Sequence, residues 1–107
     1  MQTIRPPGHL SPEAKRLWNT LTAEYAIRDC GGLAILKSGL EARDRAEGCR
    51  LRIDEEGLTI EDRFGTAKPH PLLAAERDAR GQWLAAVKQL CLDLEPLHDR
   101  PGRPPGR

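Results

Sequence analysis

The chain has 107 residues, one domain's worth, which excludes a two-domain enzyme with a separate cofactor fold. Its 17 Lys and Arg against 16 Asp and Glu leave a formal charge of +1, which excludes the overall basic excess of a histone-like or ribosomal nucleic-acid binder and confines phosphate contacts to local patches. Hydrophobic residues make up 38% and charged residues 31%, and the aromatic residues are only Trp18, Tyr25, Phe64 and Trp83, so the apolar material is mostly Leu and Ala, which suits a thin helical core.

Residues 1–10 contain Pro6, Pro7 and Gly8 and read as a flexible lead. Ser11, Pro12 and Glu13 then make a helix start, because the hydroxyl accepts a free amide, the proline ring presets φ and the carboxylate faces the positive helix end. Ala14, Leu17, Trp18, Leu21 and Tyr25 follow at helical spacing, predicting an amphipathic helix to about residue 26. Asp29 is placed to cap a second helix from about residue 30 to 56, uninterrupted by proline, with Gly57 where a left-handed residue ends helices. Gly31, Gly32 and Gly48 each weaken that helix by about 1 kcal/mol relative to Ala. Leu58, Thr59 and Ile60 alternate before Glu61-Asp62-Arg63-Phe64-Gly65, which predicts a short turn or minimal hairpin near residues 58–69.

Pro71 suits the first position of a third helix, with His70 before it as a less favoured cap. Leu72, Ala75, Ala79, Trp83, Val87, Leu90 and Leu94 keep helical steps, and Pro96 closes the segment. Residues 96–107 hold four Pro, two Gly, three Arg and one Asp, a composition that predicts a disordered tail. The chain therefore reads as all-α, a three-helix unit with a long central helix, its helical oligomerisation domain spanning residues 11–95.

The apolar residues of the second helix fall on two lines, Leu33, Leu36 and Leu40 on one and Ile35, Ala42, Ala46, Cys49 and Ile53 on the other. One neighbour covers only one of them, so the pattern favours a homo-oligomer, with Leu33, Leu36, Leu40, Trp83, Val87 and Leu90 at the contact between copies. The competing reading lays the third helix antiparallel along the second and buries both lines in a monomer.

No nucleotide-binding, zinc-protease or hydrolase signature is present in the sequence. His9, His70 and His98 lie in or beside Pro-rich segments and read as turn or solvent residues, so no metal, cofactor or catalytic residue is assigned and the chain is not expected to be an enzyme. Asp54, Glu55 and Glu56 point in different directions on a helix and read as a solvated end. Cys30, Cys49 and Cys91 lack metal or disulfide spacing, which suits a reducing compartment. The opening ten residues lack the apolar core of a signal peptide and no run approaches the ~20 apolar residues of a membrane span, so a soluble intracellular protein without membrane contact is expected. On the second helix Arg43, Arg45, Arg50 and Arg52 interleave with acids and read as a salt-bridged face. Lys15 and Arg16 form a cleaner positive group, to which Arg100, Arg103 and Arg107 add phosphate attraction from the tail.

The order of segments carries further information. Residues 11–27 (SPEAKRLWNTLTAEYAI), then Gly32 to Ala46, then Glu56-Gly57-Leu58, Asp62-Arg63-Phe64-Gly65 and Lys68-Pro69-His70-Pro71, together with Leu92-Asp93-Leu94-Glu95-Pro96, resemble the phage terminase small-subunit family over about residues 10–96. The resemblance implies a non-catalytic component of the viral DNA-packaging motor in the host cytoplasm. Such a component assembles into rings, binds double-stranded viral DNA near its packaging start and regulates or recruits the terminase large subunit, which carries the ATPase and nuclease. The chain has no room for a separate helix-turn-helix domain before the ring-forming region. The alternative is a helical DNA-binding transcription regulator, for which Asn19, Gln82 and Gln89 are too few base-reading side chains.

Overall fold

The computed structural model, which describes residues 4–92, starts its first helix at the Ser11 cap. Ser11 Oγ accepts the Ala14 N–H at 3.1 Å and Pro12 occupies the first turn of α1 (Pro12–Glu24). The same serine donates its N–H and its hydroxyl to the two carboxylate oxygens of Asp44, at 2.9 and 2.7 Å. One cap residue thus sets the start of α1 and ties it to the middle of α2 (Cys30–Glu56). Asp29 caps α2 by accepting the Gly32 N–H at 2.8 Å, and Gly57 ends it at φ +93°, donating its N–H to Ile53 O at 2.7 Å. Two three-residue strands, β1 (Thr59–Glu61) and β2 (Ala67–Pro69), pair antiparallel with Ile60 opposite Lys68. The last element is α3 (Leu72–Gln89). The molecule is mostly helical, with three helices and a small two-stranded sheet.

The ends of α1 and α3 depart from the sequence reading by the same physics. The apolar pattern carries the third helix toward Pro96, but the helix stops at Gln89. Cys91 turns left-handed at φ +56°, its N–H reaching Lys88 O at 3.1 Å while the Leu92 N–H reaches back to Val87 O at 3.0 Å. This pair of bonds satisfies the last free carbonyls and folds the next apolar residue inward. At α1 the left-handed residue is Ala26, φ +50°, with the Ile27 N–H bonded to Thr22 O at 3.2 Å. Ile27 and Leu92 are both buried as a result. Neither stop is marked by glycine, which is why the sequence conceals them.

α3 lies antiparallel along α2: His70, just before α3, meets Glu56 at one end, and Gly39 faces Trp83 and Ala86 further along. A Cβ on Gly39 would stand 2.6 Å from Ala86 Cβ and 3.1 Å from the Trp83 ring, a spacing that only a residue without a side chain permits. On its other side α2 meets α1 and the segment before it. Leu36 and Leu40 lose all solvent exposure in one cluster with Leu10, Trp18, Leu21 and Leu92, each contributing about 1.5–3 kcal/mol by removal of its side chain from water. Of the second line of α2, Ala42, Ala46, Cys49 and Ile53 are buried as well, and Ile35 is half-buried.

The expectation that a second copy is needed to cover α2 is therefore corrected. Most of both apolar lines is covered within one chain, by the antiparallel α3 arrangement that the sequence offered as the competing reading, with Leu33 and Ile35 half-buried. The flexible lead of residues 1–10 is also corrected where it is described. Trp18 Nε1–H donates to Ile4 O at 3.0 Å and Leu10 is 4% exposed, so residues 4–10 pack against α1. Residues 1–3 and the tail from residue 96 lie outside the described residues.

Two glycines on α2 give opposite expectations. Gly39→Ala should destabilise the fold by about 1–3 kcal/mol through overpacking, whereas Gly48, with nothing within 4 Å of an added Cβ, should gain about 0.5–1 kcal/mol on replacement by Ala. Urea unfolding followed by circular dichroism measures both, and a stabilising Gly39→Ala would contradict the close helix contact. In the same assay Cys91→Gly is expected to stabilise by up to about 1 kcal/mol by relieving the left-handed conformation; a loss of that size would contradict the cap.

Candidate nucleic-acid interface

Cations matter to a phosphate only where acids do not already neutralise them. On α2, Arg50 bridges Glu47 and Asp54 at 2.6 and 2.9 Å, Arg52 pairs with Glu56 at 2.9 Å, and Arg43 reaches Glu13 at 3.6 Å. The hydrogen bond from Arg50 holds the Glu47 carboxyl below its ordinary pKa. Three of the four α2 arginines are thus engaged in a salt-bridged face. On α1, half-buried Lys15 and exposed Arg16 have no ion-pair partner among the described residues. The Trp18 to Ile4 hydrogen bond holds the preceding segment against α1, which brings exposed Arg5 to the same side of the molecule. Arg100, Arg103 and Arg107 lie outside the described residues.

The six residues expected between copies belong to the chain's own core. Leu36 and Leu40 are fully buried and Trp83 nearly so, and Leu33, Val87 and Leu90 pack half-buried against the same cluster. Leu36 and Leu40 present no surface to a second copy, because α1 and α3 close over them. The large apolar residues that stay exposed among those described are Tyr25, Leu51 on α2, Leu58, Ile60, Phe64 and Leu84. The sequence reading assigns the Asp62-Arg63-Phe64-Gly65 segment to a turn without using its aromatic residue. Phenylalanine in a loop bordered by charges is the signal that was available there.

The hairpin is held rigidly at both ends. At its tip Asp62 Oδ1 accepts the Phe64 and Thr66 N–H groups at 2.8 and 3.0 Å, and Gly65 takes φ +78°, a turn conformation that glycine adopts without steric cost. These backbone donors, Thr66 first, lower the Asp62 pKa, and Lys68 Nζ sits 3.4 Å from its other oxygen. Phe64 is left 78% exposed with the Arg63 guanidinium 5.1 Å from its ring centre. At its base His70, 4% exposed, joins α2, the hairpin and α3. Its backbone N–H donates to Leu58 O at 2.8 Å and its carbonyl accepts the Leu73 N–H at 3.0 Å. Its Nδ1 accepts the Leu72 N–H at 3.0 Å, so the ring proton is on Nε2, which donates to Glu56 Oε1 at 2.7 Å. The imidazole therefore serves α3 as the cap the sequence anticipates, using a ring nitrogen where serine would use a hydroxyl.

No group of three or more His, Cys, Asp or Glu stands in metal-holding geometry among the described residues. The three thiols are free, with Cys49 buried and Cys30 and Cys91 exposed. No described helix is long and apolar enough to cross a membrane. No protein-family model, curated protein or solved structure matches the chain.

The hydrogen bond from His70, reinforced by Arg52, holds the Glu56 pKa below its ordinary value. A depressed carboxylate contributes stability that is present above its unfolded pKa and is lost as pH falls through the folded one. Glu56→Gln should accordingly unfold more easily than wild type at neutral pH, and the difference should shrink as the solution is acidified below the usual carboxylate range. His70→Phe, which keeps the buried ring and removes both nitrogen contacts, should cost about 1–3 kcal/mol. Thermal unfolding across pH tests the pair, and a Glu56→Gln deficit that persists unchanged in acid would contradict the linkage.

Proposed function

We propose that this chain is a small terminase subunit, a non-catalytic DNA-binding component of a viral packaging motor that self-assembles and recruits or regulates the large ATPase and nuclease subunit in the host cytoplasm. The observation that carries the reading is the order of the segments resembling that family. Three of them have a distinct structural task here: the Ser11 stretch caps and forms α1, Asp62 to Gly65 makes the hairpin tip, and Lys68 to Pro71 makes the joint before α3. The free cations of α1 support the DNA-binding part. Lys15 and Arg16, with Arg5 upstream and Arg100, Arg103 and Arg107 in the tail, would be repeated in every subunit of an assembly. Several weak phosphate contacts on one duplex then reinforce one another through effective concentration. The assembly part of the reading does not draw on an uncovered α2, and rests on the resemblance and on the apolar side chains left exposed.

Binding of a labelled DNA duplex, measured by fluorescence anisotropy across a salt series, tests the reading. Wild-type affinity should fall steeply with salt, and Lys15→Glu with Arg16→Glu should weaken binding and flatten the log–log salt slope by about 0.9 for each phosphate that the variant no longer neutralises. Absence of binding at low salt, or an unchanged slope in the double variant, would overturn the assignment of these residues.

A further inference from the structure

We propose that the hairpin of one copy docks on the outer face of α3 of the next, with Phe64 filling the apolar depression between Leu73 and Leu84 and Glu61 meeting Arg77. This rests on the reading that the chain self-assembles, and it names the surfaces that do so.

The hairpin has the character of a preformed knob. Strands of three residues are marginal alone, yet the Asp62 hydrogen bonds fix the turn and His70 fixes the base, so little conformational freedom remains to be given up on docking. Phe64 projects at 78% exposure and Leu58 at 65%, and aromatic anchors with a neighbouring arginine are the side chains that dominate interface energetics. Arg63 covers one part of the ring and would shield its outer side from water once the ring is seated.

The socket lies on the face of α3 turned away from α2. Leu73, Glu76, Arg77, Arg80, Gly81 and Leu84 line an open depression of about 440 Å³. Cavities of roughly 150 Å³ accept a benzene ring, so a phenyl group fits with room for its flanking chain. Gly81 has no atom within 4 Å of the place a Cβ would occupy, which lets a ring approach the helix backbone. Leu84 is an exposed large apolar residue, and Phe64 of the same chain leaves it uncovered.

Charge decides what fills the socket. The hairpin and its root carry Glu55, Glu56, Glu61 and Asp62 beside Arg63 and Lys68; Glu56 is paired with Arg52 and His70 and Asp62 with Lys68, which leaves Glu55 and Glu61 without an ion-pair partner among the described residues. The unpaired Glu61 carboxylate repels a phosphate and attracts a cationic side chain on a protein rim. The socket offers one such side chain: exposed Arg77, whose ion pair with Asp78 is 3.9 Å long, while Arg80 is paired with Glu76, which also lines the socket. Knob and socket are different surfaces of one chain, so the contact is head-to-tail, and repetition of such a contact closes into a ring where the rotation allows.

Light scattering coupled to chromatography on the full chain tests this, with circular dichroism to confirm that every variant stays helical. Wild type should run at a multiple of the 11.9 kDa chain mass. Phe64→Ala and Leu84→Glu should each weaken assembly at least about tenfold. Glu61→Arg and Arg77→Glu should each weaken it, and the two together should restore it. A multi-subunit wild type whose mass none of these changes would overturn the docking while leaving self-assembly standing. A wild type that stays at single-chain mass at every concentration would overturn both. Unchanged mass with weakened duplex binding in Phe64→Ala would assign the knob to DNA and overturn the docking.

Discussion

The approach of α2 to α3 at Gly39 is the constraint on which the rest of the structure depends. With no side chain there, Ala86 and Trp83 come so near that an added Cβ would overlap Ala86. That spacing lets one helix of 18 residues lie along a helix of 27 and exclude water from the line of small residues, Ala42 and Ala46, that continues toward Ile53. Small side chains bury little area each, so their contribution depends on close contact over several turns. The His70 joint completes the same interface from the other end. It is a buried polar group whose ring and backbone positions are all engaged, and it sets the direction from which α3 returns along α2.

Closing α2 within the chain changes the argument for assembly. An uncovered helix would have made self-association a requirement of folding. With most of both apolar lines buried, any association would draw on what the fold leaves outside, which includes a hairpin with an exposed Phe64, an outer α3 face with an exposed Leu84, and Leu51 on α2. The cations divide in the same way. Those of α2 serve mainly ion pairs that hold one helix surface together, while Lys15 and Arg16 on α1 keep their charge uncompensated by neighbours among the described residues. A surface so divided suits a subunit that folds first, then joins copies through protein contacts and approaches a polyanion through a separate patch.

Much of the fold was legible because its signals are local. Ser11 with Pro12, Asp29 and Gly57 mark helix ends through the hydrogen bonds and dihedrals those residue types permit, and the helices of the structure begin and end beside them. The hairpin was legible through the alternation of Leu58, Thr59 and Ile60 ahead of the Glu61 to Gly65 segment. The parts that escaped depend on tertiary contact. Ala26 and Cys91 take left-handed conformations because Ile27 and Leu92 gain burial beyond them, a compensation no residue type advertises. Gly39 was invisible to apolar periodicity because its contribution is the absence of a side chain. Ile4 and Leu10 sit among prolines and polar residues, and only the Trp18 indole and the core cluster give them partners. The interface residues chosen from the sequence were sound as apolar positions and misplaced as surface, since periodicity reports which face is buried and not what buries it.

The account holds that one chain completes its own core and that association engages only the hairpin and the outer face of α3. Amide hydrogen exchange over a dilution series, resolved by residue, measures this most directly. Protection of the α2 and α3 amides around Gly39, Ala46, Ala79 and Trp83 should be independent of protein concentration, while amides of the hairpin, Thr59 to Lys68, should gain protection as concentration rises. Loss of α2 and α3 protection on dilution would contradict the account, because it would show that the central helix is completed by its neighbours after all.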